Sequence, residues 1–320
     1  MAHGATTLVM PGFGTRSAAL ICVCAGLAAA AERPRILGLA HVAVAVSDVQ
    51  QARAFYGGIL GFAEPFLLRN DDGSLSMTFF KINEDQYVEV FPGLDPSADR
   101  LRHIAFHTDN VEALRAYLAS RGIQVPDRVP KGRIGNSNFT IKDPDGHLVE
   151  FVKYEPDGWT RREKGKHLGA NRVSTRLLHA GILVGNIEAA NAFYGEMLGF
   201  RETWRGSRDG KTLDWVNMRV PDGDDYIEYM LYSKMPAPNV RGVQHHICLE
   251  VPDGKQALDA LEKNPNRNTY ARPLEPRTGT NRRWQLNLYD ADGTRTELME
   301  PRTVAGIAPP PATAPPPIVR

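Results

Sequence analysis

Apolar and polar positions alternate along His41–Val46 and again along Leu178–Val184, the period of a strand with one face buried. Each run ends in a polar turn that caps a helix, over about Asp48–Leu60 and Ile187–Leu198, where Gly61 and Gly199 stop it. Further strands are predicted at Leu75–Ile82 and Gln86–Phe91, and at Leu213–Val220 and Asp225–Leu231. The order then restarts more weakly. A strand at His103–His107 leads to a helix at Val111–Ser120, ended by Gly122, and to strands at Phe139–Ile141 and Leu148–Val152. The later counterparts are His246–Val251, a helix at Lys255–Leu261, and strands at Gln285–Leu288 and Thr296–Met299. The strands of each unit are thus punctuated by one helix.

The restart is an internal repeat. His41, Phe55-Tyr56 and Leu60-Gly61-Phe62 recur 138 residues later as His179, Phe193-Tyr194 and Leu198-Gly199-Phe200. Asp143-Pro-Asp-Gly146 and Asp290-Ala-Asp-Gly293 are matching hairpin turns, each with a Glu four residues beyond the Gly. The expected fold class is α+β, one β-α-β-β-β unit used four times. Two units make a domain at residues 36–154 and two more a domain at 176–302, joined by a linker at 155–175. The Pro-rich end, 303–320, cannot build a core and is expected to be disordered.

The chemistry rides on the same repeat. His41 precedes Glu89, His103 precedes Glu150, His179 precedes Glu228 and His246 precedes Glu297, always 47–51 residues apart and always within apolar strands. Burying ionisable groups is costly unless they are paired or hold a metal. Two His and one or two carboxylates per domain suit a borderline or hard divalent ion: Fe2+, Mn2+, Zn2+ or Ni2+. His245 beside His246 falls on the opposite strand face, and Glu300 is out of register with Glu297 and reads as a solvated strand end. Trp204, Trp215 and Trp284 read as core or as the lining of a small-molecule pocket.

Composition narrows the picture. The 320 residues are 42% hydrophobic and 23% charged, those of an ordinary globular protein. Ser17–Ala31 is an unbroken small and apolar run after Arg16, ending in alanines before Glu32-Arg33-Pro34. This reads as a secretory signal peptide covering residues 1–31, too short for a spanning helix, so the protein is expected to be exported, periplasmic or secreted. Cleavage would remove two of the three Cys and leave Cys248 alone, with no internal disulfide. The 38 Lys and Arg against 37 Asp and Glu become equal once Arg16 is lost. The basic stretch Arg161–Lys166 reads as a solvated linker, so no nucleic-acid partner is expected, nor a membrane after cleavage.

The segments His41-Val-Ala-Val, Ala54-Phe55-Tyr56 to Leu60-Gly61-Phe62, Asp143-Pro-Asp-Gly146 to Glu150, and their second-half partners resemble the vicinal oxygen chelate superfamily. That superfamily includes glyoxalase I, extradiol dioxygenases and the bleomycin and fosfomycin resistance proteins. The resemblance covers about residues 36–154 and 176–302, nearly all of the chain after the leader. It implies two tandem open-barrel domains, each a cup with a divalent metal at its floor. The ligands it implies are His41, Glu89, His103 and Glu150, and His179, Glu228, His246 and Glu297.

The resemblance implies a metal-dependent enzyme, dioxygenase-like, acting on a small oxygen-chelating substrate. A glyoxalase I-like lyase or isomerase and a metal-free binding protein are the alternatives. Extradiol enzymes of the superfamily carry an acid-base His before the final Glu. Here no His lies between His246 and Glu297, while the first half offers His107, read as a rim residue, and His147. No catalytic base is assigned.

Overall fold

The computed structural model describes residues 1–4 and 32–318. The apolar leader expected at Ser17–Ala31 lies outside the described residues. Among the described residues, no helix is long and apolar enough to cross a membrane.

From Glu32 onward the chain forms a compact unit of two curled sheets. The first contains β1 (Ile36–Val46), β2 (Ala63–Arg69), β3 (Leu75–Lys81), β4 (Tyr87–Pro92), β5 (Leu101–Thr108), β6 (Ser137–Lys142) and β7 (Leu148–Lys153), in the order β2-β3-β4-β1-β5-β7-β6. The second contains β8 (Leu177–Val184), β9 (Arg201–Gly206), β10 (Trp215–Arg219), β11 (Tyr226–Leu231), β12 (His246–Glu250), β13 (Arg277–Thr278), β14 (Arg283–Tyr289) and β15 (Arg295–Thr303). Its order, β13-β14-β15-β12-β8-β11-β10-β9, repeats the plan. In both sheets the leading strands of two units pair antiparallel at the centre (β1 with β5, β8 with β12), and each pairs parallel with the last strand of its own unit.

The first helix of each half begins as α-helix and then widens into π-helix, which the sequence pattern does not signal. Asp48 caps α1 (Val49–Ala52), which continues as a π-helix over Arg53–Ile59, and Leu60 N–H reaches back to Phe55 O. Gly61 then turns with φ of 75°, the left-handed conformation that glycine adopts most freely. The shorter units supply α2 (Val111–Ser120), while the segment between the sheets holds α3 (Trp159–Arg162). The second half repeats α4 (Ile187–Ala190), again continued as π-helix, and ends with α5 (Gly254–Glu262).

Three strands escaped the alternation rule: β2, β9 and the two-residue β13. β2 and β9 carry Pro65 or runs of charge, as in Arg201-Glu-Thr-Trp-Arg. One lies at the edge of each sheet, where a half-solvated strand needs no apolar face. The Pro-rich end touches the body where Pro315 O accepts from Leu213 N–H, with Ala314 buried beside it. Glu300 is not merely solvated: its carboxylate accepts from the Gly254 N–H that starts α5.

The two sheets share one apolar core, with Phe55, Tyr56 and Phe106 in the same cluster as Tyr194, Phe200 and Leu286. Polar bonds cross it reciprocally. The Tyr56 hydroxyl donates to Asp290 Oδ2 in the second-half hairpin (3.1 Å), and the Tyr194 hydroxyl to Asp143 Oδ2 in the first (2.9 Å). Beside them His147 and His245 face each other Nε2 to Nε2 at 3.2 Å, with Nδ1 atoms 2.8 Å from Asp143 and 2.9 Å from Asp99. His245 therefore leaves its strand away from the cup, as the alternation required, but into the core and not into water.

The repeated FY and hairpin motifs therefore lock one half to the other. Tyr56→Phe strips a donor from the buried Asp290 carboxyl and should destabilise the fold by about 1–3 kcal/mol, with Tyr194→Phe costing a similar amount. Urea unfolding checks both. A single transition with a lowered midpoint is expected; two separated transitions would mean that the halves unfold independently.

Candidate metal centres

Strand register builds the first site. Ala43 on β1 is the Cα partner of Glu89 on one side and His103 on the other, while Ala105 on β5 is the partner of His41 and of Glu150. The four long polar side chains are thereby spaced by alanines and converge above them. His41 and His103 approach Nε2 to Nε2 at 2.9 Å. Glu89 lies 3.5 Å from each imidazole, and Glu150 3.6 Å from His41 and 3.2 Å from His103.

The second site uses the same register, with a glycine and a cysteine as the spacers. Gly181 is the partner of Glu228 and His246, and Cys248 the partner of His179 and Glu297. A Cβ at Gly181 would overlap the His246 ring. His179 and His246 again meet Nε2 to Nε2 at 2.9 Å. Their carboxylate neighbours stand slightly further off, at 3.4–3.9 Å.

All eight sequence-assigned residues thus fall into two clusters of four. His41, Glu89 and His103 offer ligand atoms within 4.8 Å of one another, as do His179, Glu228 and His246. Donors each about 2.0–2.2 Å from a common ion stand at such mutual separations, so both sets fit a divalent metal. Cys248 joins His179 and Glu297 in a further group within the same limit. A single cysteine outside the leader gives no sign of this placement in the sequence. Burial, with Glu297 and Glu228 beside it, pushes that thiol well above its usual pKa, so it stays protonated.

The electrostatics of the two sets diverge. Burial opposes a charged His41, yet Glu89 and Glu150 outweigh it and raise its pKa. His41 and then His103 in turn hold the Glu150 carboxyl below its usual range against burial. In the second set burial dominates: it lowers His179 well below its ordinary value, and with Arg295 it pulls His246 down to about 3. Arg295 Nη2 lies 2.7 Å from His246 Nδ1, an atom that also sits 2.7 Å from Gln244 O. Nothing in the His–Glu spacing announced this arginine.

Each cluster floors a cavity. The first, about 200 Å³, is walled by Phe66, Leu68, Met77, Phe79, Tyr87 and Phe91. Tyr87 shares the strand face of Glu89, as alternation requires, and its buried hydroxyl has no partner. The second, about 400 Å³, is lined by Trp204, Trp215, Asn287 and three arginines. His107 does not line the first cavity; it stacks on Tyr154 with ring centroids 4.6 Å apart, and burial lowers its pKa to about 4. His147 belongs to the core pair with His245. Trp284 packs against the apolar core outside both cups.

Comparison with known proteins agrees with this architecture. A 4-hydroxyphenylpyruvate dioxygenase from Yarrowia lipolytica is 26% identical over 197 residues, 52% of this chain and 50% of that protein. A lactoylglutathione lyase from Schizosaccharomyces pombe is 32% identical over 99 residues, 31% of this chain and 29% of that protein. The chain thus matches half or less of the length of both relatives. Among solved structures, the 2,3-dioxygenase LapB from Pseudomonas sp. KL28 superposes with a TM-score of 0.63 at 22% identity, covering 89% of this chain and 97% of that one. An extradiol ring-cleaving dioxygenase from B. fuscum gives 0.61 at 20% identity, covering 89% and 76%. Likeness at such identity establishes the fold. The profile of the Glyoxalase/Bleomycin resistance protein/Dioxygenase superfamily matches residues 38–151 and 176–298, most of the chain, and the protein belongs to that superfamily.

Proposed function

We propose that this protein is a metal-dependent enzyme with dioxygenase-like chemistry on a small substrate bearing two neighbouring oxygens, and that the first cup is its working centre. One observation carries this reading. His41, Glu89, His103 and Glu150 converge at the floor of a cavity walled mainly by Phe66, Leu68, Met77, Phe79 and Phe91, with Arg133, Asn136 and Asn138 also in its lining. A divalent ion there, Fe2+ before Zn2+, Mn2+ or Ni2+, would supply a Lewis acid and an anchor for a chelating pair of oxygens.

The chain's own residues supply the rest. His41 and His103 hold their Nε2 atoms toward the shared point, and Glu150 remains an anion beside them. Phe66, Phe79 and Phe91 keep water from the cup and favour an apolar substrate body. Burial raises the Tyr87 hydroxyl well above its usual pKa, so it offers a proton to a substrate oxygen and does not act as a base. Arg133 bonds the Arg69 carbonyl and the Ser76 hydroxyl, which straps the loop beside Ile134 across strands β2 and β3 at the rim.

The first cup is favoured over the second on charge. Arg295 places a fixed positive charge against the His246 imidazole, which opposes a second positive charge on the other side of that ring. In the first sheet the position two residues before the final Glu is Leu148.

An isomerase reading has its own support. A two-His iron site needs one carboxylate, and each cup holds two, so one is free to move a proton. Export, which we propose from the apolar leader, argues against a glutathione-linked substrate. Intact mass of exported material should begin near Ala31 or Glu32; a full-length soluble protein would restore glutathione chemistry.

Elemental analysis locates the ion. His41→Ala with Glu150→Ala should lose most bound metal and all activity, because removing ligands leaves buried charge uncompensated. His179→Ala with Glu297→Ala should retain both. Oxygen uptake on a panel of catechols separates dioxygenase from isomerase chemistry. Unchanged metal in both double variants would leave the metal-free binding reading.

Chelation should lower the melting temperature by about 4–5 °C at a hundredfold excess of ion over its dissociation constant, and re-addition should restore it. Acid should act in the same direction. The folded values of His107, about 4, and His246, about 3, lie below the unfolded 6.5. Between those limits the unfolded chain binds more protons, so stability present above pH 6.5 is lost as pH falls through this window. His41, whose pKa is raised, contributes the opposite sign and is overruled only while the lowered histidines outnumber it. Melting curves of the chelated protein from pH 8 to pH 5 test the balance; no change on acidification would refute it.

A further inference from the structure

The two donor sets share a His–His distance and differ in how they meet the space above them. His41, Glu89, His103 and Glu150 all line the first cavity, so an ion among them keeps an open side. In the second half only Glu228 and Glu297 of the set reach the cavity wall. His179, His246 and Cys248 lie beneath it, at 1%, 2% and 0% exposure. An open side suits a reacting centre, whereas a sealed donor set is how proteins hold a structural ion.

Two positions around the second set depart together from the first. Cys248 stands where the first half has Ala105, between the imidazole and the final carboxylate in the strand register. Arg295 stands where it has Leu148, two residues before that carboxylate. The guanidinium lies 2.7 Å from the His246 ring, and its fixed charge makes that ring the poorest donor of the set. The thiol offers a replacement. Its sulfur, a His179 nitrogen and a Glu297 oxygen all lie within 4.8 Å of one another. His179 Nε2 is 3.6 Å from Glu297 Oε2, a separation that two donors about 2.0–2.2 Å from one ion reach. Glu228, 3.9 Å from His179, is within reach of the fourth place.

The charges close as well. In the first set Glu89 and Glu150 neutralise a dication. In the second, Glu228 and Glu297 do the same, and a thiolate at Cys248 cancels the Arg295 that the first half lacks. A buried ion site is tolerated when its charges balance in this way.

We infer that the second half is a closed site for a thiophilic divalent ion, with His179, Cys248 and Glu297 as ligands and His246 left out. Binding forms a metal–sulfur bond and releases the thiol proton to solvent. A sulfur ligand selects Zn2+ or Cd2+ over Mn2+. The assignment does not depend on what the first cup catalyses, because no ligand is shared between them.

Cadmium is the probe. The whole chain carrying Cys22→Ser and Cys24→Ser keeps Cys248 as its one thiol. Stripped with chelator, it is titrated with Cd2+ while the ultraviolet absorbance is followed. A saturable thiolate-to-metal charge-transfer band is expected, and excess Mn2+ should not erase it. Cys248→Ala, which restores the residue of the first half, should lose the band entirely, with Cys248→Ser in its place if the alanine variant does not melt cooperatively. His179→Ala should lose most of it. His246→Gln should keep it, as should His41→Ala with Glu150→Ala. A silent spectrum overturns the inference, and so does a band that survives removal of Cys248. Loss of the band in a cooperatively melting His246→Gln variant would return the ion to His246 and overturn it equally.

Discussion

Everything in this protein depends on burying ionisable side chains at the middle of a sheet. A carboxylate and an imidazole inside packed strands are tolerated only when each has a partner of opposite demand. The pairing of β1 with β4 and β5 meets that condition by register: one alanine sits between Glu89 and His103, another between His41 and Glu150. Small residues between large polar ones let four side chains reach a single point. A slip of one residue would send His41 to the opposite face and Val42 into the cup. The same constraint recurs in the second sheet, where the spacer shrinks to Gly181 and the His246 ring fills the space a side chain would need.

Much of this was legible before any coordinates. His41 and Glu89 announce themselves because ionisable residues in apolar strands break an otherwise consistent pattern, and a pattern broken four times at one spacing has a common cause. The hairpins at Asp143 and Asp290 are equally plain, since their turn chemistry is local. What stayed hidden is long-range. The bond from Tyr56 to Asp290 joins residues 234 apart, and no local preference signals it. The edge strands β2 and β9 hid because a strand with one free edge need not alternate cleanly. Arg295 hid in a turn-flanking sequence where an arginine reads as solvated, and only the curl of the sheet turns it inward.

Repetition of one unit lets each half complete the other's core: the apolar face of α1 and its π-helical continuation meets elements of the other half. The polar clasp of His147 and His245 lies in this shared layer. Because the Nε2 atoms face at hydrogen-bond distance, one of them must carry the proton between them, and the carboxylates of Asp143 and Asp99 fix both rings. The interface is thus specified by directional bonds as well as by apolar area, which makes the relative placement of the sheets a property of the sequence and not of packing alone.

A rigid shared core also explains how two cups with the same floor can diverge. The strands that carry the donors are held from behind by the other half, so substitutions on the wall facing the cavity change the lining without moving the ligands. Trp204 where the first half has Phe66, and Trp215 where it has Met77, change the lining beside a donor set whose His–His distance stays at 2.9 Å in both cups. The field then decides what the donors can do. Where the wall is apolar, the carboxylates raise His41 and the set attracts a cation. Where Arg295 stands 2.7 Å from the His246 imidazole, the same donor geometry carries a fixed positive charge beside one of its rings, which weakens its hold on a cation.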